Sequence, residues 1–143
     1  MKKRTAIVAA ALALAAAGCN EPCKGENVDV VQSTVPASCN VAPSAAVTVS
    51  FDVCVRCNNS TPTCRIDASQ AGSIQLDPIA ETCDSSSSCP LPSCGVGGAD
   101  LRRLACNFTS PASGSVNLVI YDVGQASTIT VPLSVTGSST TCG

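Results

Sequence analysis

Histidine and tryptophan are missing from the 143 residues, and the rings present are two phenylalanines and one tyrosine. Without imidazole there is no Ser-His-Asp or Cys-His nucleophile system and no usual catalytic zinc ligand set, so carboxylates remain the only common hydrolytic groups. The scarcity of rings also removes the platforms on which sugars and single-stranded nucleic acids stack. Basic charge is thin. Lys2, Lys3 and Arg4 precede an uncharged apolar stretch, Thr5 to Ala17, and beyond that leader only Lys24, Arg56, Arg65, Arg102 and Arg103 stand against ten acidic residues, a formal charge of −5. No basic patch is left to hold nucleic acid or anionic lipid.

The thirteen residues of the apolar stretch, at about 1.5 Å each in a helix, reach roughly 20 Å, short of the roughly 30 Å hydrocarbon layer of a bilayer. The leader therefore reads as an export signal that is removed. It ends in Ala16-Ala17-Gly18-Cys19. That ending resembles the lipobox of bacterial lipoproteins, which implies acylation of Cys19, palmitate included, and cleavage after Gly18. Ala16 stands where that family usually has leucine, and a plain secretory cut after Ala15-Ala16-Ala17 is the competing reading. Cysteine parity favours the lipid. Of eleven cysteines, capping Cys19 leaves Cys23, Cys39, Cys54, Cys57, Cys64, Cys83, Cys89, Cys94, Cys106 and Cys142, enough for five disulfides in an oxidising compartment. Asn20 is not the aspartate that retains enterobacterial lipoproteins at the inner membrane, so the resemblance implies the outer membrane.

The expected organisation is a signal peptide at 1–18, a lipidated tether at 19–27 and one domain at 28–143. Val, Ile, Leu and Phe supply 28 of the 125 residues after the leader, barely enough for folding on apolar burial alone. Period-2 alternation is clearest in Val47, Val49, Phe51, Val53 and Val55 and recurs in Ile129, Val131, Leu133 and Val135, where Pro132 implies a sheet edge or bulge. Further strands are expected at 116–120, 104–108, 64–67, 73–77 and 28–35, the last with a bulge at Val30-Val31. About seven short strands between Pro, Gly, Ser and Asn clusters predict an all-β, antiparallel β-sandwich. From Arg102 to Val135 the layout is similar to the end of an immunoglobulin-like domain: a strand with a core cysteine, Leu104-Ala105-Cys106-Asn107-Phe108, a Ser-Pro-Ala-Ser-Gly turn, a strand at 115–121 and a last edge strand.

Strand parity puts Cys106 on the face of Leu104 and Phe108, hence in a buried disulfide, and Cys54 opposite the valine stripe, near the surface. The clusters Cys54/Cys57/Cys64 and Cys83/Cys89/Cys94 hold three sulfurs each, so neither closes on itself. A local Cys57–Cys64 staple is the preferred pairing, with Cys23 and Cys142 tying down the two ends. Cys54-Val55-Arg56-Cys57 also has the spacing of a redox dithiol or half a zinc site. Redox pairs open a helix, however, and this one ends a strand.

Asp52, Asp67, Asp77, Glu81, Asp84, Asp100 and Asp122 are scattered, with no calcium-loop spacing; a weak calcium site would need Asp77, Glu81, Asp84 and Asp100 to meet at one end of the domain. Residues 78–100 read as one long Ser-, Pro- and Gly-rich loop held by three cysteines, a contact surface for an envelope protein or a tolerated insertion. The expectation is a lipid-anchored structural or interaction module of the cell envelope, without catalytic activity or cofactor and with no nucleic-acid partner. The alternative is a thiol-based metal-binding or redox protein using Cys54, Cys57 and Cys64.

Overall fold

The computed structural model describes residues 23–82 and 89–142. Cys19, Cys83 and Asp84, with the whole leader, lie outside them. Among the described residues run ten strands: β1 (Lys24–Asn27), β2 (Asp29–Val30), β3 (Cys39–Val41), β4 (Ala46–Cys54), β5 (Thr63–Asp67), β6 (Ser73–Thr82), β7 (Leu101–Thr109), β8 (Ser115–Asp122), β9 (Ser127–Ser139) and β10 (Thr141–Cys142). The alternating runs at 47–55, 104–108, 116–120 and 128–136 fall on β4, β7, β8 and β9. The run at 28–35 keeps strand pairing only at Asp29–Val30. Where its alternation slips, the chain enters a 3-10 turn at Gln32–Thr34, closed by the Thr34 N–H and hydroxyl both donating to the Val31 carbonyl at 2.9 and 2.8 Å. β1 occupies residues that the sequence reading assigned to the tether.

Two sheets share one apolar core. In the first, β6 carries β5 along one side; along the other, β8 covers Ser73–Leu76 and β1 covers Ile79–Thr82. β8 continues to β9, and β9 to β3. In the second, β4 pairs with β7 over its whole length, with β2 and β10 sharing its other side. The sheets are mixed, which corrects the antiparallel expectation: β3–β9, β6–β8 and β4–β10 are parallel. β6 and β8 run the same way because the strand between them in sequence, β7, crosses to the other sheet and back, which supplies the long connection that parallel pairing needs.

β9 is an inner strand, not the last edge. Pro132 is tolerated because β3 begins its pairing at Leu133, so the proline lies just beyond the covered stretch. Pro78 sits within β6 between the last partner of β8, Leu76, and the first of β1, Ile79. Both prolines occupy gaps where a missing N–H costs nothing.

The inward faces of β4 (Val47, Val49, Phe51, Val53) and β7 (Leu104, Cys106) join Ile74, Leu76, Leu118, Ile120, Val131 and Leu133 of the first sheet in a single cluster. Phe51 is fully buried and Phe108 packs partly buried against the rim. Both flanks of this two-layer arrangement are stapled. Cys64 on β5 bonds to Cys106 on β7 across one seam, and Cys39 on β3 to Cys142 on β10 across the other, with Cα atoms 5.3 and 5.5 Å apart. Cys106 is buried as parity required. The local Cys57–Cys64 staple does not form: Cys64 points inward from its edge strand, toward the opposite sheet and away from its sequence neighbours.

Candidate functional site

The end of the domain where β4 finishes and β7 begins holds a loop fixed by two further disulfides. Cys54, half-buried at the close of β4, bonds to Cys94, and Cys57 to Cys89. The motif Cys54-Val55-Arg56-Cys57 is thus a pair of anchor points, each sulfur holding a different part of the loop. All nine described cysteines are disulfide-bonded, Cys23 included, and in that state Cys54, Cys57 and Cys64 offer no thiolate. The expected 78–100 loop is shorter at its start, because Pro78–Thr82 belong to β6.

Within the loop, Asp100 Oδ2 accepts the Ser93 N–H at 2.7 Å, and the Asp100 N–H donates to the Ser93 carbonyl at 3.2 Å. The Asp100 carbonyl accepts the Val55 N–H, tying the loop to the end of β4. Gly97 has φ of +76°, and a Cβ on Gly98 would lie 2.1 Å from the Ser93 carbonyl oxygen. Gly98→Ala is therefore expected to break the Ser93–Asp100 clasp while leaving the sheets intact. Limited proteolysis should cut the variant between residues 89 and 100 and spare the wild type; equal resistance would count against the clasp. Two large apolar side chains stand out from the loop. Leu91 is 95% exposed and Val96 wholly so, both on a segment cross-linked through Cys89 and Cys94.

Beside the loop lies an open cleft of about 660 Å³, bounded by β1, the 54–59 segment, Pro92 and the turn after β8. Glu26, Asn27, Arg56, Asn59 and Tyr121 give it a polar lining. Asn59 Nδ2 donates to Thr82 Oγ1 at 2.9 Å, and that hydroxyl donates to Glu26 Oε2 at 3.2 Å, so the Glu26 carboxylate is already engaged. The cleft offers hydrogen-bond donors and acceptors and a single ring. It brings no nucleophile against a base.

The scattered carboxylates stay apart: of the four that a weak calcium site would need, Asp77, Glu81 and Asp100 form no such group among the described residues, and Asp84 lies outside them. Asp77 is buried in β6 and spends its oxygens on Arg65 (2.7 Å) and Gln75 (2.8 Å). Asp100 is taken up by the loop clasp, and the Glu81 backbone pairs with Ser60. Asp52 meets Arg103 at 3.2 Å. Asp67 is held below the ordinary carboxylate range by the Ser69 hydroxyl and N–H. Asp122, almost wholly buried, accepts N–H groups from Val30, Gln32 and Gly124. Among the described residues no group of three or more Cys, Asp or Glu is placed to hold a metal ion.

Sequence reasoning missed the structural use of Asp77 and Asp122, for which a strand-borne carboxylate among apolar neighbours is the available signal. It also passed over Leu91 and Val96. Their signal was an apolar residue in a cysteine-framed, uncharged segment with no alternating partners. No known protein family, curated protein or solved structure matches the chain.

Proposed function

We propose that this chain is a lipid-anchored module of the cell envelope, probing or bracing its surroundings through the loop at 89–100 and performing no catalysis. The observation that carries the reading is the cross-linked frame: disulfides staple both seams of the core and then, separately, clamp one loop that packs no core residue of its own. A segment ordered in advance loses little conformational entropy on contact, which is what a contact surface requires and a mere insertion does not. We read the two sheets as a variant of an immunoglobulin-like sandwich, a reading supported by the core cysteine on β7 and opposed by the parallel pairs. Cys19 is the anchor, the outer membrane its expected address, and an envelope component the partner of the loop.

The intact mass of the mature protein tests the anchor: residue 19 should be the first and should carry acyl groups. Thiol counting on unfolded, unreduced protein should find none. Since eight described cysteines pair among themselves and Cys23 is also bonded, a peptide map should join Cys23 to Cys83; a Cys19–Cys23 pair would leave no sulfur for lipid and end the reading. Two or more titratable thiols with bound zinc would instead support the thiol-based metal or redox alternative.

A further inference from the structure

We propose that Leu91 and Val96 form a second membrane contact, seated in the interfacial layer of the bilayer that holds the lipid, and that they thereby fix how the domain stands on its membrane. This rests on the lipid anchor at Cys19 proposed above and names the partner of the loop as the bilayer itself.

The chain enters the domain at the end that carries the loop. Lys24 lies opposite Thr82, Thr82 bridges to Asn59, and two residues before Asn59 Cys57 is bonded to Cys89. Pro92 and Glu26 border the same cleft. From Cys19 to Cys23 the chain spans four residues, at most about 14 Å when extended. An acyl chain sunk in the membrane therefore draws this end of the domain to the surface, with Leu91 and Val96 on it.

The loop is chemically suited to that place. Residues 89–99 carry no charge, and the neighbouring Asp100 carboxylate is turned inward on the Ser93 N–H. Backbone amides left unsatisfied are the main cost of entering an apolar layer. Pro90 and Pro92, on either side of Leu91, have no N–H to lose. The N–H groups of Ser93 and Gly98 are satisfied within the loop, the latter by the Gly95 carbonyl at 2.8 Å. Leu91, Val96 and Val123 are the large apolar side chains exposed among the described residues, and the first two share this loop. Two aliphatic tips fall far short of the roughly 800 Å² per partner that a stable protein interface buries. As an auxiliary to a lipid anchor they suffice, because insertion of a few apolar groups adds to an attachment already made.

The test uses the full lipidated chain in phosphatidylcholine vesicles, with a photoreactive benzophenone amino acid at position 91 or 96. Ser113, exposed in the turn at the opposite end of β7, is the control position. Irradiation should yield lipid adducts from 91 and 96 at roughly ten times the control level, as for side chains lying within the headgroup and acyl boundary. Adding Leu91→Asp and Val96→Asp to a probe at Ser93 should abolish its lipid adducts while the acylated mass is unchanged. Acylated protein whose 91 and 96 probes react no more than Ser113, or react with protein in native membranes, overturns the inference and leaves the anchor standing. A mature chain without acyl groups overturns both.

Discussion

Full reduction of the disulfides should unfold the domain. Four of the bonds close separations of 103, 42, 40 and 32 residues, and in the chain-entropy account each such loop contributes about 3–5 kcal/mol. Together they match or exceed the roughly 5–15 kcal/mol net stability of an ordinary domain. The core they support has valine as its commonest residue and one fully buried aromatic ring, Phe51, so little remains to hold the sheets once the staples are gone. The four bonds should not be equal. Cys64→Ala with Cys106→Ala opens a seam between the sheets and should cost about 4 kcal/mol. The Cys54–Cys94 bond closes a loop of nearly the same length, but Cys54→Ala with Cys94→Ala frees residues 89–100 in the folded protein as well as in the unfolded chain. That offsets part of the entropy gained on unfolding and should leave the global transition closer to wild type. Far-ultraviolet circular dichroism during thermal unfolding, with and without a reducing agent, checks this; a reduced chain that still melts cooperatively would refute it.

Asp122→Ala should be among the most destabilising single changes away from the cysteines, by about 3 kcal/mol. The carboxylate sits 1% exposed at the end of β8 and accepts three donors: the Val30 N–H at 3.2 Å, Gln32 Nε2 at 3.2 Å and the Gly124 N–H at 3.1 Å. Val30 belongs to the other sheet, so this side chain is a polar tie between the layers. Alanine would strand a buried donor, the Val30 amide, and its desolvation is not recovered. Asp122→Asn keeps an acceptor and should lose less. Urea denaturation of the two variants orders them. An alanine variant within about 1 kcal/mol of wild type would mean that water replaces the carboxylate at no cost.

How much of this was legible follows from what periodicity can carry. β4 and β7 are nine residues each and bury one face, so alternation in Val47 to Val55 and Leu104 to Phe108 found them and assigned the inward face of Cys106. β1 and β10 are four and two residues with almost no apolar content, and no periodic signal exists in so few positions. Pro78 looks like a strand breaker, which cut β6 short and lengthened the apparent loop; only the sheet reveals that the proline sits in a gap between two neighbours. Parallel pairing was invisible for a related reason. Local alternation reports which side of a strand is wet, not which sheet the next strand joins. Cysteine counting excluded closed triplets correctly but offered no reason to prefer a cross-seam bond over a near one.

That preference matters for how the chain reaches its final bonds. Cys57 lies seven residues from Cys64 and 32 from its true partner Cys89. Ring-closure statistics alone favour the wrong junction by about tenfold. Cys54 with Cys57, and Cys89 with Cys94, are closer still. Oxidation that outruns sheet assembly scrambles these sulfurs, and recovery then requires repeated thiolate attack on misplaced bonds. A production host whose export compartment oxidises thiols but lacks an isomerase will trap this polypeptide in mispaired forms.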